Sequence, residues 1–297
     1  MLNIPKKCTL CPRKCGADRN KEKGFCGGGQ SVRLARAALH MWEEPCISGT
    51  KGSGTVFFSG CSLQCCYCQN YKISAENFGK DVSQERLAEI FLQLQTDGAH
   101  NINLVSASHY LPWVIDALDA VRGKLTIPVV YNTGGYETKE AIDALRGYVN
   151  IFLTDIKYFS PEFSKRYSNA EDYFTVAYAT AKQMIEMTGA PKFDADGIMQ
   201  SGVIIRHLAL PAALNDTKAV LNAIAKLPKD SFLISIMSQY TPFYKAKNTK
   251  PLNRRISTYE YKNAINYAAD LNLTTGFMQQ KSSAKEEYTP EFDLEGL

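Results

Sequence analysis

Four cysteines within eight residues constrain this chain more than any other feature of its sequence. Three of them, Cys61, Cys65 and Cys68, follow the spacing C-x3-C-x2-C, and the run Thr55–Ser59 before them is rich in β-forming residues. The cysteines therefore leave the end of a predicted strand on a short loop, where thiolates can converge on one soft metal centre. Cysteine is the usual ligand of iron–sulfur clusters. We expect these three residues to hold a 4Fe-4S cluster whose fourth iron stays open for a ligand.

The fourth cysteine, Cys66, breaks this spacing and is interpreted as a non-ligand, with a register shifted by one residue as the alternative. A zinc site and a buried group of reduced cysteines are the alternatives for the whole run. Buried cysteine is common, but four within eight residues on a loop are not a packing pattern. A metal cluster is therefore the favoured interpretation.

A second cysteine-rich segment lies near the start of the chain, with Cys8, Cys11, Cys15 and Cys26 in the spacing C-x2-C-x3-C-x10-C. Residues 1–30 contain few large apolar side chains, too few to order the segment against its conformational entropy. A structural metal could supply that order, as it does in small zinc modules. We expect these four cysteines to bind a separate metal centre, either zinc or a second iron–sulfur cluster, with a disulfide pair as the disfavoured alternative.

The length of 297 residues suits one large domain with a small appendage. We expect residues 1–50 to form the cysteine-rich segment and a connector, and residues 51–297 to form the core with a carboxyl-terminal extension. No apolar run approaches membrane-spanning length, and residues 1–7 do not resemble a signal peptide. Nine cysteines, an odd number at metal-type spacings, indicate a reducing, cytoplasmic setting and not a disulfide framework.

The net charge of +4 is spread unevenly along the chain. Residues 1–36 carry nine Lys and Arg side chains against two acidic ones, which gives +7 there and −3 in the remainder. This segment is either a solvated basic stretch that offsets thiolate charge or a docking patch for an acidic electron donor, such as flavodoxin or ferredoxin, or another partner protein. The solvated stretch is favoured, and the total charge is too small to imply nucleic acid.

From residue 55 onward, strand-like and helix-like patterns alternate. Strands are predicted at 55–59, 102–107, 127–131, 150–155, 202–210 and 231–237. Several are continuous apolar runs, as strands covered on both faces should be. Six βα units in one direction imply a parallel sheet with right-handed crossovers, either open and doubly wound or closed into a partial barrel. Neither a dinucleotide-binding glycine motif nor a phosphate-binding loop follows any of these strands.

Helices are predicted between these strands from apolar residues that recur every three or four positions. Ser83 is expected to cap the first helix and Asp216 a later one. Further helices are expected near 114–121, 142–145, 171–188 and 258–271. Residues 31–54 are expected to be a connector, in which the isolated Cys46 is structural and not a metal ligand.

Polar side chains gather where the predicted strands end. They are Ser106 and Ser108 after the second strand, Asn132 and Thr133 after the third, Asp155 and Lys157 after the fourth, and Arg206 in the fifth. A lone Asp or Lys at a strand end is usually a solvated cap. Clusters at matching ends indicate a site, however, because barrel enzymes place their sites at the carboxyl ends of the strands. Arg206 could hold a ligand carboxylate through two parallel hydrogen bonds.

The spacing of Cys61, Cys65 and Cys68, with Tyr67 just before the last cysteine, resembles the signature of the radical SAM superfamily. Within it, the chain looks like the branch similar to pyruvate formate-lyase-activating enzyme. The likeness extends over residues 8–245. It is carried by Cys8-x2-Cys11-Pro12-Arg13, Trp42-Glu43-Glu44-Pro45, Gly52-Ser53-Gly54, Asp155-Ile156-Lys157-Tyr158, Asp196-Gly197-Ile198-Met199-Gln200 and Arg206-His207-Leu208.

This resemblance implies a partial (β/α)6 barrel of the TIM type and a defined chemistry. In the superfamily the open iron chelates the amino and carboxylate groups of S-adenosylmethionine (SAM), and one electron cleaves the sulfonium to a 5′-deoxyadenosyl radical that abstracts hydrogen from a substrate. The resemblance implies that SAM binds beside Tyr67, Ser106, Ser108, Asn132, Thr133, Asp155, Lys157 and Arg206. In activases of glycyl radical enzymes an Asp-x-Lys after the fourth strand lies beside the target glycine, and Asp155-x-Lys157 matches it, which implies catalytic roles for both.

One feature departs from the superfamily pattern. Many members carry Gly-Gly-Glu after the second strand to bind the methionine amino group, whereas this chain has Ser106-Ala107-Ser108-His109. We expect Ser106, Ser108 or a backbone carbonyl to substitute. Two other kinds of function are kept as alternatives: radical SAM modification of RNA or of a small molecule, and a non-catalytic iron–sulfur or zinc protein for electron transfer or interaction.

Overall fold

The computed structural model of the protein describes residues 4–279 and 290–297. The strands in these residues are β1 (Val32–His40), β2 (Ser53–Phe58), β3 (Lys80–Val82), β4 (Ile102–Val105), β5 (Val129–Thr133), β6 (Ile151–Asp155), β7 (Lys192–Phe193), β8 (Met199–Leu208), β9 (Leu233–Met237) and β10 (Gly276–Met278). The α-helices are α1 (Pro45–Ser48), α2 (Tyr71–Ser74), α3 (Gln84–Thr96), α4 (Leu111–Ala120), α5 (Lys139–Ala144), α6 (Pro161–Ser168), α7 (Tyr173–Thr188), α8 (Leu214–Ile224) and α9 (Thr258–Asp270).

The six predicted strands form one parallel array in the order β2-β4-β5-β6-β8-β9, and β10 continues it. On the other side, β1 pairs antiparallel with β2, and β3 pairs antiparallel with β1. Helices lie between successive parallel strands, as right-handed crossovers require. The expected α/β fold, a partial (β/α)6 barrel, is confirmed.

Burial on both faces explains why these runs become parallel strands. Every residue of β4, β5, β6 and β9 is buried. The outer faces pack against helices such as α3, whose Leu87, Ile90, Phe91 and Leu94 are buried as their spacing predicts. Ser83 caps this helix by accepting a hydrogen bond from the backbone N–H of Arg86 at 3.1 Å, which confirms its predicted role.

Asp216 does not cap a helix, contrary to the prediction. Helix α8 begins two residues earlier, at Leu214, and places Asp216 in its first turn. The carboxylate instead accepts backbone N–H groups from Phe159, at 3.1 Å, and Ser160, at 2.6 Å. These contacts hold the start of α6, a helix that was not predicted, and Ser160 caps it ahead of Pro161.

Residues 31–54 are not a connector, because β1 and α1 lie within them. Helix α1 closes the amino-terminal end of the barrel, where Cys46 and Ile47 pack against inward-facing side chains such as Val130 and Ile151. Cys46 is buried in this apolar cluster, as its predicted structural role requires. The turn that leads into α1 carries Glu43 and Glu44 up into the barrel interior.

The amino-terminal cysteine segment docks against the loop of the second cysteine group. The backbone N–H of Cys61 donates to the carbonyl of Cys26 at 3.0 Å. Arg13 reinforces the contact, because its guanidinium donates to the carbonyls of Ser62 and Ser168 at 2.8 and 2.9 Å. At this junction Gly60 has a φ of +91°, and a Cβ there would overlap the carbonyl oxygen of Cys26.

Replacing Gly60 by Ala tests whether this junction stabilises the fold. Gly98 is a matched control, since its φ is +88° and a Cβ there would meet no atom within 4 Å. Gly98→Ala should cost only the conformational strain, about 1–2 kcal/mol, whereas Gly60→Ala should cost a further ~1–3 kcal/mol through the overlap. Urea unfolding of both variants measures the difference. Equal destabilisation of the two variants would show that the backbone at Cys26 moves aside without loss of stability.

Candidate active site

Two joined cavities open at the carboxyl ends of the parallel strands, with volumes of about 240 and 170 Å³. Both are lined by a common set of side chains: Cys65, Cys68, Asn70, Val105, Asn132, Asp155, Lys157 and Arg206. Cys61, Ser106, Ser108 and Thr133 line the smaller cavity, and Tyr67 lines the larger one. The structure therefore brings every cofactor-binding residue expected from the sequence, and the three cysteines of the C-x3-C-x2-C spacing, to one place.

A chain of hydrogen-bonded hydroxyl groups fixes the position of the cysteine loop, residues 61–68. Ser168 donates to the Cys65 sulfur at 2.9 Å and lies 2.8 Å from the hydroxyl of Tyr158. The Tyr158 hydroxyl in turn donates to that of Tyr67 at 2.6 Å. All four side chains are buried, so this network positions the loop in an environment that excludes water.

Cys66 points away from both cavities. Its backbone N–H donates to the carbonyl of Tyr167, and its own carbonyl accepts from Ala246. Burial raises the pKa of its thiol to about 11. This geometry agrees with the interpretation of Cys66 as a non-ligand and does not favour the shifted register.

The three remaining thiols of the loop fit an iron–sulfur cluster as a donor set. Cys61, Cys65 and Cys68 border the same 170 Å³ cavity, and burial raises the pKa of the Cys68 thiol to about 12 and also raises that of Cys65. Within the described residues, no three Cys, His, Asp or Glu side chains close on a single metal ion. The position of all three thiols around one cavity fits a cluster held from one side.

Arg206 is the centre of a buried ionic network formed by three parts of the chain. Its Nε donates to Asp155 Oδ1 at 2.8 Å, and its Nη2 donates to Asn132 Oδ1 at 2.7 Å. Its Nη1 lies 3.4 Å from Glu43 Oε2. Lys157 pairs with the other oxygen of Asp155. The side chains of all four charged residues are at most 17% exposed.

The network shifts the pKa of each charged group within it. Burial alone would raise the pKa of Asp155, but Arg206 and Lys157 outweigh it and lower the pKa. Burial alone would lower the pKa of Lys157, and Asp155 beside it raises the pKa instead. Burial raises the pKa of Glu43 although Arg206 opposes it. Asp155 and Lys157 therefore stay ionised as a pair. The negative charge of Glu43 is stabilised less well by its neighbours than that of Asp155.

Arg206 is less available to a ligand than the sequence suggested. Three of its five guanidinium N–H groups already face protein oxygens, which leaves two for a ligand carboxylate. Sequence reasoning placed Arg206 correctly at a strand end but missed its partner Glu43. The only available signal was the position of Glu43 within the phrase Trp42-Glu43-Glu44-Pro45, which was assigned to a connector.

Ser108, one of the three groups expected to replace the missing glutamate, is hydrogen-bonded to a different glutamate. Its hydroxyl donates to Glu137 Oε1 at 2.5 Å, and the Thr133 hydroxyl donates to the same oxygen. Glu137 lines the smaller cavity, and burial raises its pKa to about 7. Ser106 borders the same cavity with a φ of +60°, an uncommon conformation for serine. Glu137 was not singled out from the sequence, because its role depends on contacts with Thr133 at the end of β5 and with Ser108 after the neighbouring strand β4.

The amino-terminal cysteines lie next to the cysteine loop, where the backbone N–H of Cys61 donates to the carbonyl of Cys26. Cys8, Cys11 and Cys26 are buried and Cys15 is exposed. The sulfurs of Cys15 and Cys26 both lie close to Gly24, 3.4 and 3.5 Å from where its Cβ would be. A metal centre formed by these four residues stays a prediction.

The geometry defines a parallel-barrel α/β protein with a cysteine loop and an ionic network at the carboxyl ends of its strands, and known proteins identify its family. The sequence profile of the radical SAM superfamily matches residues 55–189. An uncharacterized protein of Methanocaldococcus jannaschii is 31% identical over 280 residues, covering 91% of this chain and 77% of that protein. The chain belongs to the radical SAM superfamily, whose members use a 4Fe-4S cluster and SAM.

Solved structures include more distant similarities. A domain of pyruvate-formate lyase-activating enzyme from Bacteroides vulgatus is 15% identical with a TM-score of 0.42, covering 58% of this chain and 92% of that one. SuiB of Streptococcus suis bound to S-adenosylmethionine is 12% identical with a TM-score of 0.47, covering 74% of this chain and 45% of that one. No α-helix in residues 4–279 and 290–297 is both long and apolar enough to cross a bilayer.

Removing Arg206 should destabilise the protein as well as weaken ligand binding, because Arg206→Ala leaves the buried Glu43 without a cation and Asp155 with Lys157 alone. We expect a loss of about 3–5 kcal/mol in the free energy of unfolding. Arg254→Ala is the control, since Arg254 pairs with Glu260 but its side chain is 46% exposed, and its loss should cost no more than about 1 kcal/mol. Chemical denaturation of the two variants measures both values. Equal losses would contradict the central position of Arg206.

Proposed function

We propose that the protein is an enzyme that cleaves SAM reductively in the two joined cavities and uses the product to abstract hydrogen from a substrate. The observation that carries the proposal is the convergence of Cys61, Cys65 and Cys68 with the charged and polar strand-end residues around one chamber. When bound, the cluster and SAM supply a one-electron cleavage of a carbon–sulfur bond, which releases methionine and a 5′-deoxyadenosyl radical. The radical takes a hydrogen atom and leaves as 5′-deoxyadenosine.

The protein's own residues bind and orient the ligand. Cys61, Cys65 and Cys68 hold the cluster on one side of the chamber, and the two remaining N–H groups of Arg206 bind the carboxylate of SAM. Asn132 is held by Arg206 and Glu43, so its position is fixed before the ligand arrives. The buried tyrosines below the loop exclude water from the cysteine side.

Activation of a glycyl radical enzyme is the finer form of this proposal. The support is the Asp155-x-Lys157 pair, whose two side chains line both cavities. The larger cavity opens beside the aromatic residues Trp42, Tyr240 and Phe243, and Trp42 is 57% exposed. An aromatic rim of this kind can receive a peptide segment.

The electron required for cleavage comes from a one-electron donor such as flavodoxin or ferredoxin. Within residues 4–36, four arginines are held by the protein itself: Arg13 and Arg19 are engaged in internal hydrogen bonds, Arg33 pairs with Asp81, and Arg36 pairs with Asp293. Five lysines remain exposed at the cysteine segment: Lys6, Lys7, Lys14, Lys21 and Lys23. We place an acidic donor on these lysines.

Anaerobic reconstitution tests the cleavage directly. Cluster-replete protein reduced with dithionite should convert SAM into methionine and 5′-deoxyadenosine, measured by liquid chromatography. Cys61→Ala, Cys65→Ala and Cys68→Ala should each abolish product formation, because each removes a cluster ligand. Cys66→Ala is the matched control and should keep both cluster and activity. A reduced, cluster-replete wild type that forms no 5′-deoxyadenosine would refute the proposed function.

An isotope label in the substrate tests whether the protein activates a glycyl radical enzyme. When a candidate glycyl radical enzyme with deuterated glycine is present, 5′-deoxyadenosine should acquire deuterium and the partner should show a radical signal by electron paramagnetic resonance. Cleavage of SAM without either result in the presence of such a partner would remove glycyl radical activation while leaving the radical SAM enzyme intact.

Metal analysis tests the amino-terminal centre separately. In a Cys61/Cys65/Cys68→Ala triple variant purified without oxygen, the segment with Cys8, Cys11, Cys15 and Cys26 should retain either about one zinc or about four irons per chain. The physical reason is that this segment has little apolar core of its own. A folded triple variant with neither metal, and with these thiols open to alkylation, would rule out the second centre.

A further inference from the structure

Glu43 faces the larger cavity from outside the parallel strands. It lies in the turn between β1 and α1, which inserts into the barrel interior, and its side chain is 11% exposed. Its Oε1 accepts hydrogen bonds from Asn103 and Asn132, both at 3.1 Å. Two amides on neighbouring strands therefore fix the position of this carboxylate.

The second carboxylate in this cavity, Asp155, differs from Glu43 in how far its charge is neutralised. Asp155 gives one oxygen to Arg206 at 2.8 Å and the other to Lys157. The Oε2 of Glu43 has only a long contact to Arg206, at 3.4 Å. Among the described residues that line the larger cavity, Glu43 is therefore the carboxylate whose negative charge is least committed to the protein.

SAM supplies the complementary charge. It carries a sulfonium, an ammonium and a carboxylate, so its net charge is positive. S-adenosylhomocysteine lacks the methyl group and the sulfonium charge and has no net charge. A carboxylate that faces the binding cavity and has only a 3.4 Å contact to a cation should attract the first ligand more strongly than the second.

We propose that Glu43 is a SAM-positioning residue, which balances the positive charge of the ligand and holds Arg206 and Asn132 in the orientation that binds it. This inference rests on the proposed function, since it concerns the same cavity. It adds a residue from the turn at the barrel floor to a site that otherwise comes from strand ends and the cysteine loop. It also assigns to that turn a part in the preference for SAM over S-adenosylhomocysteine, which has no net charge.

Equilibrium binding tests the role without any turnover. Wild-type protein with its cluster reconstituted and oxidised is titrated with SAM and, separately, with S-adenosylhomocysteine by calorimetry. Glu43→Gln keeps the size of the side chain and an acceptor oxygen for the two amides but removes the charge. It should weaken SAM binding by about tenfold while weakening S-adenosylhomocysteine much less.

Two further variants serve as controls. Glu44→Gln changes the next residue, which is also buried and whose charge also acts on Arg206, but which lines neither cavity. It therefore controls for effects carried through Arg206 alone and should keep the wild-type ratio of the two affinities within about twofold. Glu43→Asp keeps the charge and should keep the preference for SAM even where its overall affinity falls. Cluster content and near-ultraviolet circular dichroism verify that each variant is folded.

The outcomes separate this inference from the proposed function. A selective loss for SAM in Glu43→Gln, with the preference retained in Glu43→Asp and Glu44→Gln, supports it. Equal losses for both ligands in Glu43→Gln, or the same selective loss in Glu44→Gln, would overturn it, because the effect would then come from the structure of the turn. Wild-type protein that binds no SAM would instead refute the proposed function itself.

Discussion

The buried guanidinium of Arg206 is the interaction on which the site depends. Arg206 and Lys157 lie among carboxylates from two separate parts of the chain, Asp155 at the end of β6 and Glu43 in the turn before α1. A buried charge is costly unless it is paired and hydrogen-bonded. The strand β8, the strand β6 and the turn at the barrel floor must therefore adopt one mutual arrangement, and that arrangement shapes the cavity. The same pairing keeps positive and negative charges inside the barrel. A ligand such as SAM, which carries both signs of charge, can bind to them.

The apolar plug below the network makes this arrangement possible. Cys46 and Ile47 fill the amino-terminal end of the barrel and contact the inward-facing side chains of the central strands. Cys46 and Ile47 are buried, and Glu43 just before them enters the interior at the level of Asn103 and Asn132, which donate hydrogen bonds to it. Strong packing at one end of the barrel thus permits polar chemistry at the other, the division of roles that barrel enzymes generally show.

The sequence could predict the features that rest on local pattern. Continuous apolar runs predicted the six parallel strands, and the position of Asp155, Lys157 and Arg206 at strand ends predicted that they would meet. It could not predict features decided by distant contacts. The strand β1 carries Arg33 and Arg36, which looked like solvated charge but pair with Asp81 and Asp293. Glu43 contacts Arg206, which lies 163 positions later in the sequence. Asp216 accepts a backbone hydrogen bond at the start of α6 and does not cap its own helix.

The two cysteine groups are coupled to each other by direct contacts. The carbonyl of Cys26 receives the N–H of Cys61, and Arg13 ties the amino-terminal segment to Ser62 and to the end of α6. Ser168, at that helix end, donates to Cys65. Order in the amino-terminal segment is therefore transmitted through two routes to ligands of the proposed cluster. A segment with so few apolar side chains can hold the loop only if something else orders it, which gives a metal at its four cysteines a structural consequence at the active site.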